Sequence, residues 1–283
     1  MNVQVSRSAV YDWLRHDKKF PHVWCPGCGL GILLGSLVRA FMESGLSKDE
    51  VVLVSGIGCA GRLPVYVDVG SVHTTHGRAL TFATGIKLAK PELTVVTVMG
   101  DGDALAIGGN HLIHAARRNV DIVAIVVNNQ TYGMTGGQYS PTTPLGAKAS
   151  TAWYGTFEPS FDIGALCVTA GAVFVGRSTV YHVDRMDRLL TQAIGKRGFS
   201  VVEVLSPCYT NFGRQNRLGS HVEMMKQYKE RAVSVDRWEK MSESERAGRF
   251  PIGVLADREL PTFLDSYRHA CETAAKWRAE GKV

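Results

Sequence analysis

The sequence predicts an α/β fold, a doubly wound and mainly parallel sheet with helices on both faces. Four short runs rich in β-branched residues stand out: VVLVSGI (51–57), LTVVTVM (93–99), DIVAIVVNN (121–129) and FSVVEVL (199–205). Each is apolar on both parities, as a strand covered on both faces must be. Helically spaced segments lie around them, at 29–44, 78–90, 103–118 and 184–196. The chain has 283 residues, 45% of them hydrophobic, and can bury the large core that this arrangement requires. Such alternation gives right-handed crossovers, and a parallel sheet collects its ligands beyond the carboxyl ends of its strands.

Two stretches break the rhythm. Residues 130–160 are dense in Gly, Pro, Ser and Thr and too long for a simple connection; loops of that length in a compact domain are functional or disordered. From 212 onward the chain is charged and broken by Pro251 and Pro261, with helical patches such as SHVEMMKQYKERAV. The expected division is a ligand-binding domain over 1–211 and an extension over 212–283, packed on that domain or on a neighbouring chain.

Composition narrows the function classes. No run of eighteen apolar residues is present to span a membrane. The N-terminal segment lacks the apolar core and small-residue cleavage site of a signal peptide. The expected place is the cytoplasm, where six cysteines are metal ligands or buried thiols rather than disulfides. The net charge of +6 is not gathered into a basic stripe with aromatics, which argues against nucleic acid and suits an acidic protein partner equally well.

The strand at 93–99 runs into Gly100-Asp101-Gly102-Asp103 and then a helix. Glycines let a backbone approach phosphate, and a helix start offers free N–H groups. An aspartate there would repel phosphate unless a cation lay between them, so Asp101 implies Mg²⁺. The next strand ends in Asn128-Asn129, 28 residues after Asp101. One crossover helix and one strand fill that gap, which sets Asp101 and Asn129 at adjacent strand ends. Asp101, the Asn129 amide oxygen and the Thr131 carbonyl make an oxygen set suited to magnesium, with diphosphate oxygens opposite. Either motif alone reads as a turn; at this spacing they read as a thiamine diphosphate site. Gly58, Gly100, Gly102, Asp103, Gly133 and Met134 are assigned to the same site.

Upstream, His73-Thr74-Thr75-His76-Gly77-Arg78 gathers donors at another helix start, fit for diphosphate or a substrate carboxylate. His76, Gly77 and Arg78 are assigned to the cofactor and His73 to catalysis; the plainer reading is a capped helix. His111 and His114 are read as packing residues.

Cys25-Pro26-Gly27-Cys28 presents two thiolates on one turn, Cys59 follows the first strand, and Cys208 follows the last. They form one candidate ligand set. Cys167 and Cys271, each in a helical segment, read as buried thiols. Four thiolates suit zinc or an iron–sulfur cluster. One CxxC joined by two distant cysteines is unlike the paired knuckles of structural zinc, and a redox centre has a use beside thiamine, so the cluster is favoured.

With these residues assembled, the chain resembles the β subunits of 2-oxoacid:ferredoxin oxidoreductases. WCPGCG (24–29), GIGCAGR (56–62), HTTHGRA (73–79), GDGDALAIGGNH (100–111), NNQTYGMTGGQ (128–138) and SPC (206–208) carry the resemblance, over about residues 20–210. It implies thiamine diphosphate, Mg²⁺ on Asp101, Asn129 and Thr131, and one 4Fe–4S cluster on Cys25, Cys28, Cys59 and Cys208. It further implies oxidative decarboxylation of a 2-oxoacid with coenzyme A as acyl acceptor and ferredoxin as electron acceptor, or the reductive reverse. The two-cluster and companion domains of single-chain members are absent, so electron carriers continue on another protein. No glutamate stands in a motif next to GDG or NN; the one that activates thiamine is expected from an α subunit, in an (αβ)₂ assembly. Arg62, three residues past Cys59, is assigned to a second substrate carboxylate with Met134 nearby, which favours 2-oxoglutarate over pyruvate. A diphosphate or structural role for Arg62, branched-chain or aromatic substrates, a non-redox thiamine enzyme with zinc, and a non-enzymatic electron-transfer or scaffolding subunit are the alternatives.

Overall fold

The four apolar runs become four neighbouring parallel strands in a computed structural model that describes residues 7–17 and 20–282. The strands are β1 (Val51–Ser55), β2 (Gly70–His73), β3 (Thr94–Gly100), β4 (Val123–Asn128), β5 (Phe174–Thr179), β6 (Ser200–Leu205), β7 (Ala232–Ser234) and β8 (Phe250–Asp257). They form one sheet in the order β2-β1-β3-β4-β6-β5-β8-β7, parallel from β2 to β5 and antiparallel where β8 meets β5. The helices are α1 (Arg7–Asp12), α2 (Leu30–Glu43), α3 (Ala79–Ala89), α4 (Gly109–Arg117), α5 (Ile163–Ala170), α6 (Val183–Gly195), α7 (His221–Arg231), α8 (Val235–Trp238), α9 (Glu243–Arg246) and α10 (Phe263–Ala279).

Strand alternation divides the core in two. Leu53, Val96, Val98, Ile125, Val127, Val202 and Val204 face one way and pack with Leu33, Leu37 and Phe41 of α2 and Met186, Leu189 and Leu190 of α6. Val54, Val95, Met99, Ala124, Val126 and Val201 face the other way, onto Leu80 and Ala83 of α3, Leu112 and Ala115 of α4, and Ile163 and Cys167 of α5. Both parities are buried because helices cover both faces, the doubly wound arrangement that the apolar runs predict.

Four strands carry weaker signals. β5 reads FVGRST and is buried throughout, yet holds Arg177. That arginine is neutralised locally: its Nε donates to Glu203 Oε2 at 2.6 Å, and its Nη2 pairs with Asp162. Glu203 also accepts from the Asn128 amide at 2.8 Å. β2 and β7 are short, and β8 contains Pro251. Pro251 lies in the part of β8 that pairs only with β7, whereas Gly253–Asp257 pairs with β5; there it removes no hydrogen bond to the long strand.

The segment 103–118 is two pieces rather than one helix. Asp103–Ile107 forms a widened turn and α4 begins at Gly109. Gly108 crosses closely enough that a Cβ would lie 2.3 Å from the Asp103 carbonyl oxygen. Three further expectations on helices resolve here. Cys167 is buried, as expected, but Cys271 on α10 is exposed, because no residue of that helix is buried. His111 and His114 do not pack into the core; His114 is exposed and lies 3.4 Å from Arg117 Nε. Among the described residues no helix is long and apolar enough to cross a membrane.

Candidate active site

Parallel strands deliver their following loops to one edge of the sheet. β3 and β4 are neighbours, with Gly100 opposite Val127, so Asp101 and Asn129 leave the sheet side by side. Asp101 is 1% exposed, and its Oδ2 accepts hydrogen bonds from the hydroxyls of Ser140 and Thr142. One amide atom of Asn129 lies 3.1 Å from Asp101 Oδ1 and 2.7 Å from the Thr131 carbonyl oxygen. With nitrogen in that place, the amide donates to both. With oxygen there, three acceptors converge, and a cation among them relieves the repulsion. A half-turn of one amide thus converts a self-satisfied cluster into the hard-oxygen set that magnesium takes. Burial raises the Asp101 carboxyl to about 6, against the pull of its two hydroxyl donors; a bound cation would reverse that shift.

A cavity of about 270 Å³ opens over this cluster. Gly58, His76, Gly100, Asp101, Gly102, Asp103, Asn129, Thr131, Gly133 and Met134 line it, together with Ile57, Cys59, Ala60, Tyr132 and Thr135. Asp103 fastens the loops around it: its Oδ1 accepts from the Gly77 N–H at 2.6 Å and sits 2.7 Å from His76 Nδ1. Burial raises the Asp103 carboxyl above its ordinary range, opposed by the Gly77 N–H and His76. Tyr132 donates to the Gly102 carbonyl at 3.2 Å, and its ring lies edge-on to His76. A Cβ on Gly102 would meet that ring at 2.3 Å, so the second glycine of the GDG turn makes room for Tyr132.

A second cavity, of about 300 Å³, shares Cys59, Asn129, Gly133 and Met134 with the first. Cys25, Cys28, Cys59 and Cys208 all line it, with Trp24, Arg62 and Asn211 among their neighbours. Gly27 takes φ +78°, the left-handed conformation that closes the turn between Cys25 and Cys28. Trp24 Nε1 donates to the Cys59 carbonyl at 2.8 Å, and Asn211 donates to the Gly133 carbonyl at 2.8 Å. These bonds tie four loops together in two pairs along the cavity wall. Burial pushes the Cys28 thiol up to about 12, with smaller contributions from the other three sulfurs, and raises Cys59 as well. Neutral thiols are thus favoured until a metal centre supplies positive charge. Among the described residues no three His, Cys, Asp or Glu side chains converge as a single metal ion requires. From the C-terminal region, α7 sets His221 against Gly27, where a Cβ would lie 2.5 Å away, and packs half-buried Tyr228 near Cys28 and Cys208.

Residues 46–204 match the family described as thiamine pyrophosphate enzyme, C-terminal TPP binding domain. The chain is 46% identical over 263 residues to 2-oxoglutarate synthase subunit KorB of Methanothermobacter marburgensis, covering 93% of this chain and 92% of the other. The chain belongs to the KorB family of 2-oxoacid:ferredoxin oxidoreductase β subunits. KorB of Archaeoglobus fulgidus is 56% identical over 200 residues, 71% of this chain and 74% of its own. A solved structure of 2-oxoglutarate:ferredoxin oxidoreductase from Magnetococcus marinus, with 2-oxoglutarate, coenzyme A and succinyl-CoA bound, superposes with a TM-score of 0.84 at 31% identity. That match covers 96% of this chain and 93% of the other.

In this KorB-family chain, four nominated residues stand outside the first cavity. Gly77 is buried beside it and spends its N–H on Asp103. Arg78 turns away to the carbonyls of Gly77 and Ile107, at 3.3 and 3.2 Å, because it caps α3. His73 is exposed at the end of β2, with its Nδ1 2.9 Å from Ser55 Oγ, and lines neither cavity. Arg62 is exposed and lines the cysteine cavity, not the one over Asp101. Sequence reasoning did not name Tyr132, Ser140 or Thr142. The run Ser140-Pro141-Thr142-Thr143-Pro144 was the available signal, since clustered hydroxyls within a long loop need something to bond.

Proposed function

We propose that this KorB-family subunit holds thiamine diphosphate and Mg²⁺ in the Asp101 cavity and one 4Fe–4S cluster in the cysteine cavity. With an α subunit, in an (αβ)₂ assembly, it converts 2-oxoglutarate and coenzyme A oxidatively to succinyl-CoA and CO₂, passing electrons to ferredoxin, or runs the reverse. The observation that carries this reading is the shared wall: Cys59, Asn129, Gly133 and Met134 face both cavities. Short electron-transfer distance is what one-electron oxidation beside a decarboxylation site demands. The division of the chain fits, since every lining residue of the two cavities falls at or before Asn211 and the extension begins at 212.

Magnesium would be held by Asp101, the Asn129 amide oxygen and the Thr131 carbonyl. Bound thiamine supplies an electron sink for the carbon next to the departing carboxylate. The chain's own groups orient and exclude water: His76 is fixed by Asp103, and Ile57, Ala60 and Met134 give the cavity apolar walls. Cys28 lies just before the N-terminus of α2, where the helix dipole favours a negatively charged cluster. One CxxC joined by two distant cysteines, unlike the paired knuckles of structural zinc, supports a cluster over a single zinc ion. The activating glutamate is assigned to the α subunit.

Anaerobic co-purification with the α subunit, followed by iron, acid-labile sulfide and thiamine analysis of one sample, tests the proposal. A brown protein with all three supports it; a colourless zinc protein overturns the cluster assignment. Cys28→Ala is expected to abolish the visible cluster absorbance and ferredoxin reduction while thiamine diphosphate stays bound.

Arg62 is the proposed selector for the substrate. A guanidinium lining the same cavity as Met134 suits the second carboxylate of 2-oxoglutarate, which pyruvate lacks. Arg62→Met is expected to lower kcat/KM for 2-oxoglutarate roughly 10- to 100-fold, the worth of one charge-assisted hydrogen bond, and to leave pyruvate within about twofold. An equal fall for both substrates would remove Arg62 from the role.

A further inference from the structure

We propose that Ser140 and Thr142 form a hydroxyl clamp that aims Asp101 at the cation site, making them positioning residues for the metal. The inference rests on the magnesium reading above and deepens it. Both residues are nearly sealed from solvent, at 2% and 3% exposure. Their hydroxyls converge on one oxygen, Asp101 Oδ2, and lie 3.2 Å from each other. The other oxygen, Oδ1, is the one beside the Asn129 amide and the Thr131 carbonyl. A carboxylate with both oxygens free can rotate and bind a cation in several ways. Here two donors occupy Oδ2, so the torsion is fixed and Oδ1 is the ligand atom presented.

The clamp is itself built in. Thr143 Oγ1 accepts from the Ser140 N–H at 2.8 Å and donates to the Gln130 carbonyl at 2.7 Å. Gln130 adjoins Asn129, so the Ser-Pro-Thr-Thr-Pro segment grips the aspartate at one end and the chain next to the amide ligand at the other. Pro141 and Pro144 restrict the backbone between. Partners that orient a metal ligand without touching the metal commonly govern affinity 10- to 100-fold. The plainer role, a staple that merely holds the loop down, predicts a change in stability and none in metal affinity.

The test uses the complex co-expressed with its α subunit, stripped by chelator and titrated with Mn²⁺ in the presence of thiamine diphosphate, with free Mn²⁺ read by electron paramagnetic resonance. Ser140→Ala combined with Thr142→Val is expected to raise the Mn²⁺ dissociation constant roughly 10- to 100-fold. Thr142→Val alone, nearly the same shape without the hydroxyl, is expected to show part of that loss. Thr142→Ser, which restores the donor, is expected within about twofold of wild type. Unchanged Mn²⁺ affinity in the folded Thr142→Val or double variant overturns the clamp alone. A wild-type complex that binds no Mn²⁺ overturns the magnesium reading and the clamp with it.

Discussion

Asp101→Ala is expected to release thiamine diphosphate while the cluster absorbance survives. The substitution removes the sole charged oxygen from the three that meet at the Asn129 amide. Cofactor affinity should fall by more than the roughly 100-fold that loss of an outer partner costs. Stability should not suffer in proportion, because Asp101 is a desolvated carboxylate and Ser140 and Thr142 remain within hydrogen-bonding distance of each other without it. Gel filtration of the complex followed by thiamine and iron analysis of the same fraction reads both sites at once. Loss of iron from a variant with unchanged Tm would show that the two cavities do not load separately.

The second large effect is on stability. Glu203→Ala is expected to cost about 3–5 kcal/mol, the penalty for breaking a buried charge pair by removing one partner. Glu203 is 2% exposed and directly opposite Arg177 in the register of β5 and β6. Its removal leaves the guanidinium with only the half-exposed Asp162 and strips the Asn128 amide of its acceptor. Replacing both partners by methionine should recover most of the loss, since no charge is then stranded. Urea midpoints of the assembled complex compare the two variants with the wild type. A loss under about 1 kcal/mol for Glu203→Ala would mean that water reaches Arg177 after all.

The same network explains what could be read from the sequence. The strands β1, β3, β4 and β6 were legible because their apolar runs satisfy a sheet covered on both faces. β5 was not, because Gly176, Arg177, Ser178 and Thr179 hide a central strand whose charge is answered by Glu203, far along the chain. The GDG turn, the asparagine pair, Cys59 and Cys208 were legible because local spacing places them at or just past strand ends, and Cys25 and Cys28 because a CxxC makes one turn. Ser140 and Thr142 were not, since their partner Asp101 lies some 40 residues earlier and only the folded loop brings them to it. His73, Arg78 and Arg62 lie outside the Asp101 cavity for a related reason. Being next to a motif fixes where a backbone goes, while the reach of a side chain is settled by whichever carbonyl or hydroxyl it meets first.

The antiparallel pairing of β8 with β5 bears on how the protein is made. As the chain leaves the ribosome, β6 can add to β4 and β5 to β6, but the far side of β5 has no partner until residues 250–257 emerge. Throughout that interval a strand destined for the interior offers open hydrogen-bonding groups along one side. Translation of the last segment therefore ends a period of vulnerability to aggregation, and chains cut short before β8 should be found in inclusion bodies rather than as partly active enzyme.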